Sequence, residues 1–207
     1  PDIAKVYEAD TSKEGHPFFA MEFCDGLPVS NYCAINRLDM ESRVKLVARI
    51  GRAVQQAHAQ GIVHRDLKPD NVLVSEVDGQ PCLKIIDFGI AKFTDEEWQD
   101  SNSDMTRIGE LIGTPAYMSP EQASGRGHLV DHRSDIFSLG VTLYELLTLT
   151  RPFDGDTDRE VLSKICEQRP VPVRRLDKKV PVDLATVCET AMAFEPGDRY
   201  PTASAFA

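Results

Sequence analysis

The sequence predicts an α+β chain, a mostly helical body with a few short strands at its front edge. Three observations carry this. Apolar residues at Val44, Val47, Ile50, Val54 and Ala57 recur at helical spacing across 41–60, and Ile136, Leu139, Gly140, Leu143 and Leu147 repeat the pattern further on. Short apolar pieces bounded by turn residues occur before and after the first of these stripes. The composition, 42% hydrophobic and 27% charged over 207 residues, is enough for a sizeable core.

Taken in order, residues 3–7 and 18–24 are expected as two strands joined by a polar loop containing Gly15, His16 and Pro17, with Asp25-Gly26 as a turn. Gly61 supplies the stop for the helix over 41–60. Residues 72–74 and 83–86 are two further β-rich pieces, and the acidic stretch 94–106 is expected as a surface loop. The helix around 136–147 is apolar on all sides, which predicts burial at the centre of the domain. Helices are also expected near 158–168 and 183–194, and Thr202 is placed to cap a last one.

Composition narrows the function classes. A formal charge of −10 argues against broad capture of nucleic acid, although it leaves room for a local basic patch. Cys24, Cys33, Cys82, Cys166 and Cys188 are scattered and odd in number, with no C-x-x-C pair, so neither a disulfide framework nor a zinc site is expected. A reducing cytoplasm is the simplest setting. The longest apolar run, 136–149, is too short to span a bilayer and is interrupted by Glu145, and the N-terminus lacks the order of a signal peptide.

Three blocks carry chemistry. They are His64-Arg65-Asp66-Leu67-Lys68-Pro69-Asp70-Asn71, then Asp87-Phe88-Gly89, then the run from Gly113-Thr114-Pro115 to Ser119-Pro120-Glu121. Singly, a loop Asp is a common turn former or helix cap, and Asn71 could merely cap a turn. Together and in this order, the blocks resemble the catalytic loop, metal-binding motif and substrate-facing loop of the eukaryotic-type (Hanks-type) serine/threonine protein kinase family. The stretches 131–140 and 119–122 are similar to its bacterial members, many of which carry a membrane helix and sensor region outside the kinase domain; neither feature is visible in this sequence.

The resemblance implies a kinase-like fold, with residues 1–26 as small-lobe strands and hinge and 27–207 as the large lobe. It implies phosphoryl transfer from ATP, with Mg2+, to Ser or Thr hydroxyls of protein substrates, and no nucleic-acid partner. Asp66 would act on the acceptor hydroxyl and Lys68 on the transferring phosphoryl group, while Asn71 and Asp87 would hold the metal. Met21 would stand behind the adenine pocket, the backbone of Glu22 and Cys24 would meet the adenine edge, and Leu73 would form its floor. His64 and Phe88 would stack in an apolar spine with Val6 as a third member. Asp135 would anchor the catalytic loop, and Glu121 and Arg199 would form a buried ion pair. Arg65 implies control by phosphorylation, with Thr106 as the main expected site and Ser101, Ser103 and Thr114 as lesser ones; Thr114 would also help shape the acceptor site.

The 207 residues contain no Gly-rich turn, strand Lys or helix Glu of the family's small lobe, and the pattern ends inside its last helix. The expectation is therefore a partial kinase domain, inactive as an isolated stretch and carried by a parent that is cytoplasmic or anchored by one membrane pass. Two other readings stay open: an interaction module of pseudokinase type, and a small-molecule phosphotransferase on the same fold.

Overall fold

The structure, a computed structural model, describes residues 1–12, 16–88 and 115–207. Strands β1 (Val6–Thr11) and β2 (Pro17–Met21) pair antiparallel from Val6↔Met21 to Thr11↔Pro17, with a bulge between Val6 and Glu8. β1 starts three residues later than the sequence pattern suggests because residues 2–4 have another partner. Ala4 N donates to Ile85 O (2.9 Å), and Ile85 N donates to Asp2 O (2.8 Å). Arg49 holds the Asp2 carboxylate with two bonds of 2.7 and 2.9 Å, a planar fork that fixes this segment against the helical body. Every side chain of β1 is exposed.

The chain leaves β2 through residues 22–26 and enters β3 (Leu27–Pro28), which pairs with β4 (Val72–Val77); β4 pairs with β5 (Gln80–Ile85), giving the order β3-β4-β5. Gly26 is required by close approach, since a Cβ there would lie 3.1 Å from the Val74 carbonyl. The short helix α1 (Val29–Ile35), which the sequence pattern did not indicate, buries Val29, Tyr32 and Cys33 beneath this sheet.

Helix α2 (Met40–His58) starts where Asp39 accepts a bond from Ser42 N (2.8 Å). It buries Leu46, Val47, Ile50, Ala53, Val54 and Ala57 on one face, and Gly61, at φ +74, turns the chain out as expected. Further on lie α3 (Pro120–Ala123) and α4 (His132–Thr148). α4 is buried nearly all round, and two of its enclosed hydroxyls find partners inside the protein: Ser138 Oγ donates to Tyr117 O (2.9 Å) and Thr142 Oγ1 to Ser138 O (2.9 Å).

Beyond α4 come α5 (Asp158–Glu167), α6 (Val173–Leu176), α7 (Val182–Ala191) and α8 (Ala203–Phe206). Gly140 lets α7 lie close to α4, because a Cβ would sit 2.8 Å from Met192 and 2.9 Å from Ala191. Thr202 caps α8 by accepting from Ala205 N (3.1 Å). The core runs from β4 and β5 through α2 and α4 to α7, with Ile50, Leu83, Ile85, Ile136 and Leu139 fully enclosed. None of the five cysteines is paired, and no helix among the described residues is long and apolar enough to cross a membrane.

Candidate active site

The loop between α2 and β4 carries the densest polar network. Asp135, wholly buried near the start of α4, holds it from below. Its Oδ2 accepts from His64 N (2.8 Å) and from His58 Nε2 (2.7 Å), and its Oδ1 accepts from Arg65 N (2.8 Å). These bonds hold Arg65 at φ +68, a left-handed conformation that a non-glycine residue keeps only when its surroundings enforce it. Gln122 Nε2 donates to Arg65 O (2.7 Å), tying the same turn to α3.

His64 is enclosed and neutral. Burial pushes its imidazole below its ordinary range, outweighing the nearby carboxylates. The hydrogen bonds require one tautomer: Nε2–H donates to Ile86 O (3.0 Å), and Nδ1 accepts from Asp66 N (3.3 Å). Its ring meets Phe88 at 4.5 Å between centroids. Val6 does not join this stack as the sequence suggested. It is half exposed on β1, whose strand pairs only with β2 among the described strands.

Asp66 projects from this loop with half of its side chain exposed. Its Oδ2 accepts from Lys68 Nζ (2.7 Å) and from Asn71 Nδ2 (3.1 Å), while Oδ1 has no partner among the described residues. Asn71 is buried, in a turn opened by Pro69, and its Nδ2 also donates to Asp66 O (2.8 Å). The amide nitrogen is committed twice, and the Asn71 side-chain oxygen has no partner among the described residues. Ile86 N donates to Asn71 O (2.9 Å), which brings the next residue, Asp87, beside Asn71. Asp87 is exposed and sits at φ +60, a conformation Asp tolerates better than most residues.

The donors present fit a hard divalent cation. Magnesium takes oxygen ligands and commonly uses one or two protein groups together with substrate phosphates and water. One amide oxygen and one carboxylate at adjoining positions meet that need. No group of three or more His, Cys, Asp or Glu suited to a metal occurs among the described residues.

The residues expected at the adenine edge occupy the link between the two sheets. Met21 ends β2, and Glu22 and Cys24 follow it. Glu22 N donates to Lys5 O (2.8 Å), so this amide is already engaged, whereas among the described residues Glu22 O accepts only a long contact from Cys24 Sγ (3.6 Å). The Glu22 side chain turns away to Lys84 Nζ (2.8 Å). Burial, helped by the Glu22 charge, pushes the Cys24 thiol up, so this cysteine has no enhanced nucleophilicity. On β4, Val72 and Val74 point into the core while Leu73, between them, faces the other way and is half-buried. It thus offers an apolar surface on the side away from the core.

The Glu121–Arg199 pair forms as expected. Arg199 Nη1 and Nη2 reach Glu121 Oε1 and Oε2 at 2.8 Å each, Ser134 Oγ adds a third bond (2.6 Å), and the guanidinium lies over the Phe137 ring (5.0 Å). Burial pushes the Glu121 carboxyl up, but these hydrogen bonds and the Arg199 charge outweigh it and hold the carboxyl at about 2. Thr114, Thr106, Ser101, Ser103 and Gly89 lie outside the described residues.

The protein kinase domain model matches residues 1–205. This chain belongs to the protein kinase domain family. It is 37% identical to the serine/threonine-protein kinase pkn3 of Myxococcus xanthus over 100% of this chain and 38% of that protein. It is 38% identical to Pkn1 of the same organism, covering 99% of this chain and 28% of that protein, and 38% identical to PknB of Mycobacterium leprae, covering 99% and 32%. The chain therefore spans about a third of the length of these curated relatives. In fold it is similar to the crystal structure of the Mycobacterium tuberculosis PknI kinase domain, with a TM-score of 0.73 over 100% of this chain and 69% of that one, at 24% identity.

One residue of the kinase loop network escaped the sequence reading. His58, in the last turn of α2, is buried against Asp135 and meets His132 edge-on at 5.6 Å. A His at a helix C-terminus reads as a partner for the helix dipole. Only the fold reveals that it points inward.

Proposed function

We propose that this chain supplies the catalytic loop and metal-holding residues of a serine/threonine protein kinase, with residues 1–26 as small-lobe strands and hinge and 27–207 as the large lobe. The observation that carries the reading is the cluster of Asp66, Lys68 and Asn71, joined by side-chain hydrogen bonds and supported by buried Asp135, with Asp87 the residue after the Ile86–Asn71 backbone bond. Asp66 Oδ1, which has no partner among the described residues, would accept the proton of an incoming Ser or Thr hydroxyl. Lys68, which neutralises Oδ2, would present its charge to the phosphoryl group as it moves. Asn71 Oδ1 and the Asp87 carboxylate would hold Mg2+, which when bound supplies charge neutralisation along the ATP phosphates. Glu22 O and the Cys24 backbone would receive the adenine edge, with Met21 behind and Leu73 beneath.

The names of the relatives favour protein Ser/Thr acceptors over small molecules, and the intact acidic set favours catalysis over a purely scaffolding role. Magnesium-dependent nucleotide binding tests the metal assignment directly. In the full-length protein, Asp87→Asn is expected to weaken Mg-ATP binding at least about tenfold, by removing a charged ligand. Binding without magnesium should change little. Calorimetric titration with and without the metal reads both, and equal Mg-ATP affinity in the variant would exclude Asp87 as a ligand.

A further inference from the structure

The charge of this chain is unevenly placed. Residues 169–179 (Arg-Pro-Val-Pro-Val-Arg-Arg-Leu-Asp-Lys-Lys) hold five cations and one anion, in a chain whose net charge is −10. All five, Arg169, Arg174, Arg175, Lys178 and Lys179, are exposed. None makes an ion pair or side-chain hydrogen bond among the described residues, whereas Lys45, Arg49, Lys68, Lys84, Lys164 and Arg199 each hold a carboxylate. The one local anion, Asp177, is turned to its own backbone, accepting from Lys179 N (2.8 Å).

The segment is held in place. Val173 and Val180 are buried, and Tyr144 OH donates to Val171 O (2.9 Å), fastening it to α4. Leu176 and Val171 stand exposed among the cations, each about half accessible (49% and 48%). Arg169 and Arg175 also border a cavity of about 730 Å³ whose walls include Phe137, Phe153, Ile165 and Phe194. Glu167 borders it beside Arg169, and Glu189, Glu195 and Asp198 border it on the side of α7 and the segment that follows.

We propose that this recess docks an acidic segment of a protein partner, with a bulky apolar side chain in the cavity and carboxylates on Arg169, Arg174, Arg175, Lys178 and Lys179. Guanidinium and ammonium groups on a fixed strap, without ion-pair partners among the described residues, are complementary to carboxylates, and an apolar hollow beside them takes an anchoring side chain. The concavity and the acidic far wall favour a peptide over an anionic bilayer, since a flat surface would meet both walls at once. The docking surface lies apart from the Asp66 cluster and does not depend on the phosphoryl-transfer reading.

The test uses the full-length protein and a fluorescein-labelled peptide, Glu-Glu-Asp-Leu-Phe-Glu-Asp-Glu, read by anisotropy. The peptide should bind, more weakly as salt rises. The triple variant R174E/R175E/K178E should bind at least about tenfold more weakly, a loss large enough to reflect several charge contacts. Exchanging the peptide's Leu-Phe for Ser-Ser should weaken binding to the parent, and F194S, which removes part of the cavity wall, should abolish that preference. The variants change exposed side chains, and unchanged circular dichroism will confirm folding. No binding, equal binding by the charge-reversed variant, or no preference for Leu-Phe would overturn the proposal. So would binding only to phosphatidylserine-rich vesicles, which would assign the surface to a membrane. Self-association lost in the triple variant would overturn it in favour of the chain's own acidic stretch, 94–106.

Discussion

Asp66→Asn in the full-length protein is expected to lower the phosphoryl-transfer rate by about a hundredfold to ten-thousandfold, the range for loss of a positioned acid–base group. Mg-ATP affinity and thermal stability should stay close to the parent values. The substitution keeps the shape of the side chain and the backbone carbonyl that holds Asn71, but the amide has one oxygen instead of two. That oxygen cannot serve Lys68 and an incoming hydroxyl together with the basicity of a carboxylate. Steady-state kinetics beside nucleotide titration separates the effects. A variant that turns over like the parent would remove Asp66 from the acceptor site. One that loses ATP binding in proportion would place it with the nucleotide instead.

The largest stability effect is expected from Arg199→Ala. This change strands the Glu121 carboxylate in a site that is 1% exposed. Leaving a buried charge without its partner costs about 3–5 kcal/mol. That is a large part of the 5–15 kcal/mol available to a typical domain. Urea denaturation should show the loss as a lower midpoint with an unchanged slope.

The pair also sets an acid limit. Because the folded Glu121 carboxyl is held at about 2, its contribution is complete above its ordinary value of 4.5 and is lost as pH falls toward 2. His64, pushed below its ordinary 6.5, acts in the same direction at higher pH. Its contribution is complete above about 6.5 and declines as acid forces protonation of a buried ring. Stability should therefore begin to fall below about pH 6.5 and fall more steeply below about 4.5. Arg199→Ala should flatten the second stage.

Much of this site was legible because its chemistry is local in sequence. The motif from His64 to Asn71 spans one short stretch, and its resemblance to the kinase catalytic loop implied that Asp66, Lys68 and Asn71 act together. Helices α2 and α4 were legible because one buries a stripe and the other buries every side, two patterns that periodicity distinguishes. What was not legible depends on distant partners. The left-handed backbones at Arg65 and Asp87 carry no glycine to announce them; those of Arg65 are imposed by Asp135, seventy residues away. The inward turn of His58 has the same origin. Val6 was misplaced because an apolar residue in a strand signals a face, not which neighbour covers it. The basic stretch 169–179 was hidden in a net charge of −10, since an overall sum says nothing of where charges gather.

Phosphoryl transfer to protein hydroxyls by the Asp66 cluster can be read in a single assay. The full-length protein is incubated with ATP labelled at the γ-phosphate, magnesium and a generic protein substrate, and the products are resolved by phosphoamino-acid analysis. The expected result is magnesium-dependent label on serine and threonine, strongly reduced by Asp66→Asn and Asp87→Asn in protein that remains folded. Label on tyrosine alone, or transfer that persists undiminished in both variants, would contradict the account.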